Sequence, residues 1–303
     1  MSLITNNEQP KTKNQQPIAG RLAPTPSGYL HLGNAVNFVL TWLLVRQVGG
    51  TLHLRIDDLD RARLRRPYLE NIFRVIDWLR IDYDCGPSGP DDFLRHHSQL
   101  LHLPDYNRLL RRLAQQPGLV HGSQRSRTSG AGEQPVPLDA LGAAWRARVP
   151  AHTTVRFADG WQAALQVPLA EEMPDFILRK KDGVAAYQLA SVVDDLRLGT
   201  TLIVRGLDLL PSTAAQLWLA SQLAETSAFN ARRIQFYHHS LLTDAAGHKL
   251  SKSTQATGNP GVLAPGSTPD LVYGCAARLL GLPTEAGESL AALQAALGKS
   301  TAT

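Results

Sequence analysis

The chain has 303 residues, 43% of them hydrophobic and 19% charged, the balance of a globular protein with one large or two modest domains. Its two cysteines, Cys85 and Cys275, stand far apart and form no Cys-x-x-Cys pair, which excludes a disulfide scaffold and a cysteine-rich zinc site. The net charge of +5 suits a polyanionic partner and an ordinary surface equally well, and no apolar run is long enough to span a bilayer.

Residues 1–17 are polar, rich in Asn, Gln and Lys, and lack the apolar stretch of a signal peptide, so they read as a disordered tail on a cytoplasmic protein. Ile18 to Ala23 reads as a strand, and Pro24 to Leu30 as a loop rich in Pro and Gly. Gly33 to Val48 has the length and apolar content of a helix and stops at Gly49-Gly50. Thr51 to Ile56 alternates as a strand does. In Tyr68 to Leu79, residues Leu69, Ile72, Val75, Ile76 and Leu79 share one helical face. Strand, helix, strand, helix at these lengths implies an α/β fold with a parallel sheet.

Further on, Tyr106 to Ala114 reads as a helix, and Ser123 to Gly142, poor in apolar residues, as a loop or degenerate insertion. Short strands are expected within Trp145 to Val167 (including Thr153 to Phe157) and at Asp175 to Leu178, Ala185 to Tyr187 and Thr201 to Val204. The acids Asp194 and Asp195 follow Val193 as a pair. Thr213 to Glu225 reads as a helix and Gln235 to Leu242 as a strand. Helices at Leu271 to Leu280 and Leu290 to Leu297 complete the chain, which has no repeat at a solenoid period.

Three groups of residues carry chemistry. His31 closes the first loop and Gly33 opens the helix, where free backbone N–H groups and the helix dipole favour a phosphate. Asn34 follows one residue later. Downstream, Lys249 and Lys252 flank Ser251 in a Gly/Ser loop, a source of mobile positive charge for a departing pyrophosphate. Each segment alone is a common surface feature; together they are what gripping ATP from two sides requires. The third group is Arg21, Asp57, Tyr187 and Arg205. In an open parallel sheet the strand C-termini line the ligand crevice. There a carboxylate suits an α-ammonium, and arginines suit carboxylates. Two arginines, a tyrosine and an acid describe a pocket for an acidic amino acid.

With these residues in place, the chain resembles the class I aminoacyl-tRNA synthetases. The His31 segment is similar to their HIGH signature and Lys249 to Ser253 to their KMSKS signature. Arg21 to Gly28, Leu54 to Asp58, Tyr187 to Asp195 and Val204 to Asp208 match the glutamyl group in order, so the resemblance runs from Ile18 to Ser253. It implies a Rossmann-type catalytic domain (18–110 and 176–255), an inserted acceptor-binding subdomain (111–175) and a short helical C-terminal segment (256–303). It also implies ATP with Mg²⁺, an aminoacyl-adenylate and an RNA acceptor. His31, Gly33, Asn34, Asp208, Lys249 and Lys252 would bind ATP, with His31 and the two lysines catalytic. Arg21, Ala23, Thr25, Asp57, Tyr187 and Arg205 would hold glutamate. Only residues 254–303 follow the second signature, too few for an anticodon-binding domain. The resemblance is therefore to the truncated paralogues, the glutamyl-queuosine tRNA(Asp) synthetases, which attach glutamate to the queuosine base of tRNA(Asp). A monomer is expected.

Four departures stand out. Asn34 replaces the second His of HIGH. Asp57 stands where the family has Glu, one methylene shorter. Thr25 replaces Ser. Ser123 and Arg125 occupy the places of a zinc-binding Cys-x-Cys, so no zinc is expected. Two other readings stay open: an adenylate-forming enzyme with another acidic amino acid or another acceptor, and a non-catalytic RNA-binding relic.

Overall fold

Strand β1 (Ala19–Leu22) runs beside β2 (Thr51–Leu54) in parallel, with Arg21 opposite His53. Between them lies α1 (Leu32–Gln47), whose residues Ala35 to Val45 are mostly buried because the helix is packed on several sides. It ends where Gly49 takes a φ of +65°, a left-handed conformation that glycine adopts without a Cβ penalty, while the Gly50 N–H returns to the Val45 carbonyl at 2.9 Å. Helix α2 (Arg66–Trp78) has Pro67 in its first turn and buries Leu69, Ile72, Val75 and Ile76, the face its spacing predicts. The computed structural model describes residues 17–124, 134–230, 233–242 and 261–300. The expected N-terminal tail (residues 1–16 of it), Arg125, Lys249 and Lys252 lie outside the described residues.

After the short α3 (Pro90–Asp92), α4 (Leu103–Ala114) leads to β3 (Val120–Ser123), β4 (Ala144–Arg148), β5 (Val155–Asp159) and β6 (Ala163–Val167). Then come α5 (Leu169–Glu172), β7 (Asp175–Arg179), α6 (Tyr187–Arg197), β8 (Leu202–Gly206), α7 (Leu210–Ala220) and β9 (Gln235–His239). The chain continues through α8 (Asp270–Leu279) and α9 (Leu290–Ser300). The main sheet has the order β2-β1-β8-β9-β5-β6, parallel except for β6, and a separate antiparallel sheet has the order β3-β4-β7. Thus β5 and β6, which lie inside 111–175, belong to the sheet that holds β1, while β7 extends the small sheet past residue 175.

Helices cover both faces of the main sheet. Leu202 and Val204 of β8 enter the core beneath α1, α2 and α8, and the alternate residue Ile203 enters the core beneath α4, α6 and α7. The resulting architecture is the expected Rossmann-type α/β fold. One element differs. Ala185 to Tyr187 reads as a strand in sequence, yet Ala185 makes only an isolated bridge to Arg179 and Tyr187 is the first residue of α6. The Ala186 N–H bonds the Leu178 carbonyl at 2.8 Å, closing a short return from β7. The residues after it bury Leu189, Ala190 and Val192 at helical spacing, which decides in favour of helix.

Candidate active site

The strand order reverses between β1 and β8: from β1 the chain moves to β2 on one side, then crosses to β8 and β9 on the other. At such a switch point the loops diverge and open a crevice at the strand C-termini. A cleft of about 410 Å³ lies there. Its lining includes every predicted site residue among those described: Arg21, Ala23, Thr25, His31, Gly33, Asn34, Asp57, Tyr187, Arg205 and Asp208.

One end is built by α1. His31 caps the helix in extended conformation, its backbone N–H donating to Asn34 Oδ1 at 3.1 Å. A Cβ on Gly33 would lie 3.1–3.2 Å from the His31 ring, so glycine here leaves space for the imidazole. The loop before the helix is tied down from behind. The Leu30 N–H donates to buried Asn71 Oδ1 at 2.9 Å, and Tyr29 meets Tyr68 edge-on at 5.0 Å. His239, at the end of β9, also lines the cleft; its Nδ1–H donates to the Ser240 carbonyl at 2.9 Å, leaving Nε2 to accept from Asn37 Nδ2 at 3.3 Å. Burial lowers its pKa and favours this neutral ring.

The other end holds three arginines and two aspartates. Arg21 Nε and Arg55 Nη1 both donate to Asp195 Oδ1, at 3.0 and 2.7 Å. Arg55 also grips Asp57 with a fork, Nε to Oδ1 at 2.7 Å and Nη2 to Oδ2 at 3.1 Å. Arg205 Nη1 donates to Thr213 Oγ1 at 3.0 Å, and its Nη2 is buried with no hydrogen-bond partner among the described residues. Burial pushes the Asp195 carboxyl up, but Arg21, Arg55 and Arg205 outweigh it and hold the group below the usual carboxylate range. Burial also pushes Asp57 up, and there the Arg55 fork does not fully offset it. Desolvation lowers the Arg21 pKa against the pull of Asp195.

Some of these groups have no assigned role in the sequence reading. Arg55 sits within the same Leu-Arg-Ile-Asp-Asp string as Asp57, and its role appears only once the backbone places both beside α6. Asp195 belongs to the acid pair noted in sequence, but the pair divides: Asp195 serves the cleft, while Asp194 accepts from Tyr106 at 2.8 Å and from Gln99 at 2.7 Å. Both are buried, which is unusual for consecutive carboxylates, and their adjacency was the only signal the sequence offered.

A second cavity of about 550 Å³ shares Thr25, Asp57 and Tyr187 with the cleft and extends to Arg63, Lys180 and Asp182. Near the small sheet, Ser123 pairs with Ala144 through the backbone. This region is held by hydrogen bonds: Gly122 with Val136, Trp145 Nε1 to the Leu138 carbonyl and Gln124 Nε2 to the Leu141 carbonyl. A serine hydroxyl does not replace a thiolate at zinc, and no cluster of three His, Cys, Asp or Glu among the described residues could hold a metal. Among the described residues no helix is long and apolar enough to cross a membrane.

A charged cleft at the switch point of an open parallel sheet is the frame of a nucleotide-using α/β enzyme. The family model for tRNA synthetases class I (E and Q), catalytic domain, matches residues 17–116 and 140–298. A glutamyl-Q tRNA(Asp) synthetase of Nitratidesulfovibrio vulgaris is 38% identical, with 79% of each chain covered. Another, from Symbiobacterium thermophilum, is 36% identical over 88% of this chain and 87% of its own. The glutamate tRNA ligase of Elizabethkingia meningosepticum, solved with its amino acid, superposes with a TM-score of 0.64 at 22% identity; it shares the fold, and the match spans 78% of this chain and about half (52%) of that one. The chain belongs to the class I tRNA synthetase (E and Q) family, in its glutamyl-Q tRNA(Asp) synthetase branch, a family of ligases.

Proposed function

We propose that this enzyme activates glutamate with ATP and transfers it to the queuosine base of tRNA(Asp). The observation that carries the reading is the charge at the amino-acid end of the cleft: Arg21 and Arg55 share Asp57 and Asp195, while buried Arg205 contacts no carboxylate and its Nη2 has no hydrogen-bond partner among the described residues. Glutamate, with two carboxylates and one ammonium, supplies the missing negative charge.

In this reading Asp57 takes the α-ammonium, while Arg21, Arg205 and Tyr187 orient the carboxylates and Ala23 and Thr25 form the wall. The triphosphate lies against the N-terminus of α1, with His31, Gly33, Asn34 and Asp208 around the nucleotide. A carboxylate oxygen of glutamate attacks the α-phosphorus of ATP; the bond to the bridging oxygen breaks and pyrophosphate leaves with its electron pair. Lys249 and Lys252 stabilise that leaving charge. A nucleophile on the modified base then attacks the acyl carbon and AMP departs. Nothing here needs a covalent enzyme intermediate; positioning and charge supply the acceleration. We assign acceptor binding to the inserted 111–175 region and place the incoming nucleoside in the second cavity, because it joins the amino-acid end through Thr25, Asp57 and Tyr187. In this reading the enzyme acts as a monomer in the cytoplasm, where the tRNA is.

The test is ATP–pyrophosphate exchange with L-glutamate and no tRNA, followed by glutamylation of tRNA(Asp) from cells with and without queuosine. Exchange without charging of either tRNA would redirect the acceptor. Exchange with L-aspartate rather than L-glutamate would redirect the amino acid, a second reading favoured by the way Arg55 draws the shorter Asp57 against the wall. No exchange with either would end the proposal.

A further inference from the structure

Arg205 differs from its two neighbours. Arg21 and Arg55 each contact a carboxylate directly, whereas Arg205, only 3% exposed, has no ion pair within 4.0 Å among the described residues. A buried guanidinium without compensation is costly. What it has is a chain of buried groups leading away from the cleft. Arg205 Nη1 reaches Thr213 Oγ1 at 3.0 Å, Thr213 Oγ1 reaches His238 Nε2 at 2.9 Å, and His238 Nδ1 reaches Asp159 Oδ2 at 2.6 Å.

Chemistry fixes the direction of the bonds at the two ends of this chain. Asp159 is ionised: burial raises its pKa, but bonds from the His238 ring and from the Trp161 and His238 backbone N–H groups hold it below the usual range. A carboxylate only accepts, so His238 Nδ1 carries the proton. The other ring nitrogen, Nε2, pairs with Thr213 Oγ1. The threonine oxygen is left to accept from Arg205, which only donates. The chain of hydrogen bonds that holds Arg205 Nη1 therefore ends on the Asp159 carboxylate. The relay is walled by aromatic rings: His238 lies flat on Phe236 (interplanar angle 20°) and 6.0 Å from Phe157. His238 and Thr213 are both fully buried. Adjacent residues of β9 thus serve opposite faces, His239 the cleft and His238 the relay.

We infer that Asp159, His238 and Thr213 are positioning residues that lock the plane of Arg205 and leave its Nη2 edge for the carboxylate of the amino-acid substrate. Anchored at one edge, the guanidinium cannot rotate to find another partner, so a bidentate or lateral contact with the ligand is ready before it arrives. The inference rests on the proposal that Arg205 binds a substrate carboxylate.

The experiment compares Thr213→Val, Thr213→Ser and His238→Gln with the unaltered full chain. Glutamate binding is measured by calorimetry, exchange kinetics are measured for glutamate and for ATP, and folding is checked by thermal melting. Thr213→Val keeps the shape and removes the hydroxyl; the glutamate Kd and KM should rise about tenfold or more while the ATP KM stays within about twofold. Thr213→Ser should restore glutamate binding to near the starting value. Should Thr213→Val fail to fold, His238→Gln carries the same expectation, since it breaks the bond to Asp159. Unchanged glutamate binding in a folded variant, or an equal rise in both KM values, would overturn the relay and leave the proposed function standing. If the unaltered chain neither binds glutamate nor supports exchange, the proposed function fails and the relay fails with it.

Discussion

Asp195→Asn separates charge from shape at the centre of the cleft. The amide keeps an oxygen where Arg21 and Arg55 now donate, at 3.0 and 2.7 Å, so the steric change is small. The charge is lost in a place where the side chain is wholly buried and both arginines are about 95% buried. Breaking a buried ion pair from one side typically costs about 3–5 kcal/mol, because the surviving charge stays desolvated. Unfolding entropy near ~2.1 cal/mol/K per residue gives roughly 0.6 kcal/mol/K for a chain of this length, so the melting temperature should fall by about 5–8 °C at pH 7. The control is Asp105→Asn, which breaks a pair with Arg108 at 3.4 Å on an exposed helix face and should cost less than about 1 kcal/mol. The pH dependence is a second readout. Folding depresses the Asp195 pKa below its ordinary value of 3.8, so its stabilisation is complete well above that value and is lost as pH falls through the lower, folded one. The gap between the two proteins, followed by scanning calorimetry, should be constant from about pH 8 to pH 5 and close only in stronger acid. A gap below about 2 °C at pH 7, or one that has closed by about pH 6, would refute the account of Asp195 as an ionised hub.

Lys252→Ala should lower ATP–pyrophosphate exchange on the order of 100-fold or more while tRNA binding, read by filter retention, changes little; equal loss of both would make the lysine an RNA contact. Asp57 offers a pH test of the ammonium contact. Burial raises its pKa above 3.8, so protons compete with the ammonium at a higher pH than for an exposed aspartate. Glutamate affinity by calorimetry should weaken as pH drops toward the carboxylate range, and Asp57→Asn should bind weakly at every pH with no such slope. Zinc chelation should leave adenylate formation unchanged, and elemental analysis should find no stoichiometric zinc, because a hydroxyl at Ser123 stands where a thiolate would be required.

The first half of the fold was legible because its signals are local. A Gly pair ends α1, an apolar stripe defines α2, and the loop of Pro24 to Leu30 lies at the turn where such folds bind phosphate. The same locality explains the error at Ala185 to Tyr187. A β-branched pair, Val192-Val193, followed by two acids weakens the helical pattern of α6, and the short apolar triplet before it looks like a strand. Long-range pairing was not readable at all: nothing in residues 155–167 announces that β5 will join β9 through Asp159 and Phe236. That pairing brings Asp159 to His238, so the groups behind Arg205 stayed invisible although the groups facing the cleft did not. The cleft residues were recognisable because chemistry restricts them individually. Their supports are restricted only by one another.

The surplus positive charge also predicts how the site would tell glutamate from glutamine. The two side chains have the same length and nearly the same shape, so the pocket walls cannot separate them. An amide would place a neutral group against the Arg205 Nη2 edge, which has no hydrogen-bond partner among the described residues. With no carboxylate arriving, Arg21 and Arg55 would keep Asp57 and Asp195 as partners, while Arg205 would keep only the Thr213 hydroxyl among the described residues. A buried donor to a charged group left without its partner typically costs about 3 kcal/mol, or roughly 100-fold in kcat/KM. Exchange measured with L-glutamine should therefore be poorer than with L-glutamate by about that factor or more. Replacing Arg205 with Gln should narrow the ratio, because the excess charge goes with it. Comparable exchange with both amino acids in the unaltered enzyme would mean that the surplus at this end is neutralised by something other than the substrate, and the charge argument for glutamate would no longer hold.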